Sequence, residues 1–181
     1  MCQDCVLALL DGRKTEEARP MQNGLLGGPG DLLYVRESWM AAHRRWDNAL
    51  QVIYRVDGRQ VYLTVPDGKA VRLRDTWRSS LHMPQFMARL WLRIDEVVSQ
   101  HLQEIDPEGA IRRGIFQGAD DGLWRFGPDD LGFDDPVMAY GDLWDGTHGK
   151  DPILCWEANP QVEVTRFTVI RDDPYDLIAE A

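Results

Sequence analysis

At 181 residues, with 44% apolar and 28% charged side chains and a net charge of −10, the chain has the composition of one globular domain that buries a core without a metal or disulfide staple. No apolar run reaches the length of a membrane span and no basic-then-apolar leader opens the chain, so a cytoplasmic protein with no membrane partner is expected. The charge is uneven: residues 1–115 hold 16 Lys/Arg against 15 Asp/Glu, residues 116–160 hold 2 against 10, and residues 161–181 hold 2 against 5. That distribution argues against coating an extended duplex and leaves room for a small polar pocket in the balanced front part.

In chain order, QDCVLALL at 3–10 has helical spacing and predicts a short helix ending near Gly12. Cys2 and Cys5 form a C-x-x-C with no second ligand pair. With Cys155 they read as three reduced thiols, and neither a metal nor a cofactor is expected. NGLLGGPGD at 23–31 lacks any phosphate-loop pattern and reads as a connector. Strands are expected at 32–37 and 51–56, with a short one at 61–65. Residues 83–87 read as a turn around Pro84, and RLWLRIDEVV at 89–98 as a strand half-buried on one face. Asp106 and Pro107 open a helix over 107–113 that Gly114 stops. The Gly/Asp/Pro-rich stretch at about 116–136 reads as an acidic, loop-rich insertion. A helix over 137–144 and a closing strand over 161–170 follow, and 171–181 reads as an acidic tail that frays. The expected organisation is one α+β domain over 1–170, with a curled and mainly antiparallel sheet.

Seven stretches, in one order, resemble the ASCH-like proteins of bacteriophages and prophages, members of the PUA-like superfamily. They are Leu9–Arg19 (LLDGRKTEEAR), Gly30–Ser38 (GDLLYVRES), Tyr54–Gly58 (YRVDG), Trp77–Arg89 (WRSSLHMPQFMAR), Leu102–Ile115 (LQEIDPEGAIRRGI), Leu143–Lys150 (LWDGTHGK) and Trp156–Phe167 (WEANPQVEVTRF). The resemblance implies a small PUA-like β-barrel with short flanking helices and a cleft for a nucleoside, modified nucleotide or short RNA. Related ASCH enzymes deacetylate acetylcytidine, and others are linked to RNA cleavage or RNA binding. Such proteins usually also carry a short strand before the first helix, where here only Met1 and Cys2 precede it; either the barrel lacks that strand, which would leave a sheet edge for a partner chain to cover, or the native start lies upstream of Met1.

In the amidohydrolases a G-x-K-x-x-T-x-R motif supplies a lysine and a nucleophilic threonine, and a later short helix supplies a glutamate. Gly12, Lys14 and Arg19 match. Glu17 stands at the threonine position and Arg113 at the glutamate position. A carboxylate there cannot serve as the attacking hydroxyl, and a guanidinium does not trade protons. The expectation is a degenerate site in which Glu17 pairs with Lys14 or Arg113. Thr15, one residue along an extended segment, faces away from Lys14.

Further candidates for ligand contact are the Arg36–Glu37 pair at a cleft mouth, Trp39, Trp77 and Arg78, and His82 as base or ligand. Each has a plainer reading: a strand-end ion pair, a core tryptophan, a hairpin anchor, a hydrogen-bonded histidine. Lys69, Arg72, Arg74 and Arg78 make a modest basic stretch diluted by Asp67 and Asp75. Three readings follow: a binding module for a nucleotide or RNA, an active hydrolase on a modified nucleoside or RNA, and an interaction protein that engages a basic partner through the acidic 116–160 segment.

Overall fold

The computed structural model describes residues 3–24, 26–44 and 49–171. The chain is α+β, mainly antiparallel, with few and short helices. It falls into two compact units. Among the described residues, one comprises 33–44 and 49–92 with 3–7 and 170–171; the other comprises 8–24, 26–32 and 93–169.

The second unit holds the G-x-K segment. Helix α1 (Gln3–Leu10) ends as expected, because Gly12 takes φ 73° and its N–H bonds back to the Leu9 carbonyl. Strand β1 (Glu16–Pro20) then alternates buried and half-buried side chains. It pairs antiparallel with β10 (Gln161–Arg171), from Glu16 opposite Arg166 to Pro20 opposite Val162. Strand β10 lies beside β7 (Leu90–His101), and β7 beside β2 (Leu32–Tyr34).

Helix α2 (Pro107–Arg112) starts where proline costs nothing and where the Asp106 carboxylate accepts the Gly109 N–H. It stops at Gly114, whose φ of 101° suits glycine and whose Cα faces the Phe126 ring too closely for a side chain. Helix α3 (Pro136–His148) repeats the device: Asp135 accepts from the N–H groups of Val137 and Met138. Helices α2 and α3 pack together.

The first unit is a sheet in the order β5-β4-β3-β6, formed by β3 (Trp39–Arg44), β4 (Ala49–Tyr54), β5 (Gln60–Thr64) and β6 (Arg74–Arg78). Trp39, Ala41, Leu50, Val52 and Tyr54 form its core with Met83 and Met87. The Tyr54 hydroxyl donates to the Met87 carbonyl oxygen at 2.8 Å.

Several expectations change. Strands β1, β3 and β6 were not expected. The segment at 116–136 is no structureless insertion: β8 (Phe116–Gln117) and β9 (Trp124–Arg125) pair as a hairpin, and Trp124 bridges to Phe133. Helix α3 runs four residues past Trp144. Among the described residues the pairings give two four-stranded sheets and one hairpin, and no closed barrel. Cys5 is disulfide-bonded, so the reduced state holds for Cys155 alone between those two. The tail beyond Arg171 lies outside the described residues. Among those described, no helix is long and apolar enough to cross a membrane.

Candidate functional site

Lys14 and Arg113, ninety-nine positions apart, meet through an isolated antiparallel bridge. The Lys14 N–H bonds to the Ala8 carbonyl and the Thr15 N–H to the Arg112 carbonyl, so the G-x-K segment is stitched between α1 and the end of α2. The Lys14 side chain is 3% exposed. Its Nζ lies 3.1 Å from Glu17 Oε2 and donates to the Arg113 carbonyl oxygen at 3.1 Å, with the Phe126 ring centroid 5.9 Å away. Both polar neighbours are acceptors, which suit an ammonium group. Position 17 contributes a carboxylate and no hydroxyl.

Arg113 takes a different partner from Glu17. Its Nε donates to Glu16 Oε1 at 3.0 Å. Arg112 Nε and Arg166 Nε both donate to Glu16 Oε2, at 3.0 and 2.9 Å, and Arg166 reaches on to Glu96 at 2.6 Å. Glu16 is 1% exposed. Burial alone would raise its carboxyl, but the Arg166 hydrogen bond and the charges of Arg113 and Arg112 outweigh that and hold it below the usual carboxylate range. The Arg113 guanidinium lies 4.9 Å from the Tyr140 ring centroid, and its Nη1 is buried without a hydrogen-bond partner among the described residues. Burial pushes the Tyr140 hydroxyl well up, with the Arg113 charge opposing. Glu16, Arg112, Arg166 and Tyr140 escape a motif-based reading. The signal that finds Glu16 is period two counted from Lys14: Lys14, Glu16, Ala18 and Pro20 are all buried, whereas Thr15, Glu17 and Arg19 are half-buried.

The remaining candidates sit in the first unit. Arg36 is exposed and Glu37 buried, as neighbours on an extended chain must be, so they do not act as a pair. Glu37 instead receives a two-pronged contact from Arg89, with Nε and Nη2 at 2.8 and 2.7 Å from its two oxygens. Arg89 also grips Asp57 and lies 4.1 Å from the Tyr54 ring centroid. The Arg89 contact and the Arg59 N–H outweigh the partial burial of Asp57 and hold its carboxyl low. Trp39 is 1% exposed and offers its ring to the Arg78 guanidinium at 4.7 Å instead of to a base.

Trp77, Arg78 and His82 do come together. With Arg72, Thr76 and Ser79 they line a hollow of about 410 Å³. The register explains it. Trp39 pairs with Arg78 and Ala41 with Arg74, so two steps along β3 face four along β6. The surplus residues of β6 bulge outward and carry Thr76 and Trp77 with them. Trp77 remains 44% exposed. Arg78 Nη2 donates to the Arg72 carbonyl oxygen. Ser79 accepts the Leu81 N–H and so caps the 3-10 turn Ser80–His82 that brings His82 to the wall. No carboxylate belongs to the wall among the described residues, and nowhere among them do three His, Cys, Asp or Glu side chains gather as a metal requires.

The fold and this geometry define the protein as α+β and mainly antiparallel, with a buried ionic knot in one unit and an open cationic-aromatic hollow in the other. Set beside protein-family models, curated proteins and solved structures, the chain matches none.

Proposed function

We propose that this chain is a nucleotide- or RNA-binding domain of the PUA-like, ASCH kind, of phage or prophage origin, whose hydrolytic positions have become structural. The observation that carries the reading is the hollow beside β6. A tryptophan, two guanidiniums, an imidazole and two hydroxyls meet there with no described acid. Aromatic faces stack bases, and guanidiniums bind phosphate oxygens in pairs. The order of the seven sequence stretches supports the same reading. So does the Lys14–Glu17 pair at 3.1 Å, which occupies the lysine on which an amidohydrolase would rely.

The competing readings draw less support. For hydrolysis, position 17 offers a carboxylate where the resemblance expects the nucleophilic hydroxyl, and that carboxylate pairs with Lys14. In the acidic segment, Asp121, Asp130, Asp135 and Asp151 each accept a backbone N–H two or three residues away, and Asp145 accepts that of Trp156, so these carboxylates serve turns, a cap and a tertiary contact rather than a docking face.

Tryptophan fluorescence titrated with nucleoside monophosphates and a short single-stranded RNA tests the proposal. Saturable quenching is expected in the native protein and at least about tenfold weaker binding in Trp77→Ala, the loss of one stacking contact. No turnover of acetylated cytidine is expected. Undiminished binding by Trp77→Ala, or turnover abolished by Lys14→Ala, would overturn it.

A further inference from the structure

We infer that the hollow beside β6 takes a single nucleotide unit, one base with one phosphate, either as a free mononucleotide or as the phosphorylated end of a single strand. This rests on the nucleotide-binding reading above and narrows it.

Three observations set the limit. First, a binding track for several nucleotides needs successive aromatic platforms, and the described wall contains one, Trp77. At about 410 Å³ the hollow lies near the small end of the roughly 300–1,000 Å³ typical of small-molecule sites.

Second, the cationic groups are clustered rather than strung out. The guanidiniums of Arg72 and Arg78 border one cavity together with the His82 imidazole and the Thr76 and Ser79 hydroxyls. Arg78 is held for the purpose: its guanidinium rests 4.7 Å from the buried Trp39 ring and donates to the Arg72 carbonyl oxygen. Ordering it before the ligand arrives lowers the entropy lost on binding. Such a cluster suits one phosphate better than a run of them.

Third, the chain as a whole carries −10. A long polyanion meets repulsion from the rest of the molecule, whereas one phosphate is neutralised within the cluster. Stacking on Trp77 reads a π-face and not base edges, so the site is tolerant of base identity.

Calorimetric titration of the full chain at several salt concentrations decides the matter. The probes are AMP, adenosine, inorganic phosphate, and an eight-residue oligoadenylate with and without a 5′-phosphate. AMP should bind at least about tenfold tighter than adenosine or phosphate alone. The slope of log K against log salt should be about −0.7 to −1.4, the value for one or two phosphates on a single strand. If the phosphorylated octamer binds within about threefold of AMP while its unphosphorylated form does not, strand ends are ligands. If AMP alone binds, the free nucleotide is. Arg72→Ala, which leaves the backbone carbonyl under Arg78 in place, should flatten the slope with an unchanged melting temperature.

An octamer at least about thirtyfold tighter than AMP, with a slope near −4, would reveal a track; it would overturn this inference and leave the nucleotide-binding reading standing. Phosphate binding as tightly as AMP would overturn the inference by removing the base from it. Failure of every probe to bind would overturn both.

Discussion

A carboxylate buried to the extent of Glu16 stays ionised only if its surroundings replace the water it has lost. Three guanidiniums do so, and the geometry makes each of them partly dependent on that one carboxylate. Arg113, at 1% exposed, is the most dependent. Glu16→Gln leaves that cation buried without its counter-charge, so a loss of about 3–5 kcal/mol is expected in urea unfolding. The pH dependence follows from the direction of the shift. Because the Glu16 carboxyl is held below its ordinary value in the folded chain, the unfolded chain takes up the proton first as pH falls. The stabilisation is therefore complete above about pH 5 and drains away as pH drops through the lowered folded value, below the ordinary 4.3 or so of a glutamate. Melting temperatures recorded from pH 7 to pH 3 should show this loss in the native protein and a smaller one in Glu16→Gln. Equal losses in both would remove Glu16 as the titrating group.

At the level of whole elements, capping is the clearest case of sequence chemistry acting alone. Asp135 accepts two N–H groups at the start of α3 and lies beside Pro136 at the first helical position. Asp135→Ala should cost about 1 kcal/mol by urea unfolding, and Asp135→Asn much less. Such signals made α2 and the end of α1 legible in the sequence; α3 was expected over 137–144 without its cap, and alternation gave the strands β4, β7 and β10. Strands β1, β3 and β6 were hidden for a common reason. Their residues (EEARP, WMAAHR, RDTWR) carry charge, alanine or proline where strands usually carry branched apolar side chains. What holds them is tertiary: pairing with β10 for β1, and insertion between β4 and β6 for β3. The candidate site divides the same way. The resemblance led to an expected meeting of Lys14 with Arg113, which occurs through the Arg113 backbone; of the two pairings expected for Glu17, that with Lys14 forms, while the exchange of charges that suggested Arg113 misleads, because Arg113 turns to Glu16. The claim of Glu16 on Arg113 depends on strand phase, and the gathering of Trp77, Arg78 and His82 depends on a register irregularity that leaves no mark in composition.

For the molecule as a whole, the charge balance matters more than its total. Several acidic residues in 116–160 are spent locally, on caps and turns, while the arginines are spent on ion pairs and on aromatic faces, as with Arg13 over Phe116 and Arg89 over Tyr54. Lysine is nearly absent: Lys14, Lys69 and Lys150 are the complete set. The last two are exposed, and the first is sealed between Glu17 and a peptide carbonyl. The folded chain thus offers amine reagents two of its three lysine side chains and withholds the third. An acylating reagent applied to the native protein and followed by peptide mass spectrometry should tag Lys69 and Lys150 within minutes and spare Lys14 until denaturant is added. Glu17→Gln, which removes one side of that seal, should bring the third tag forward.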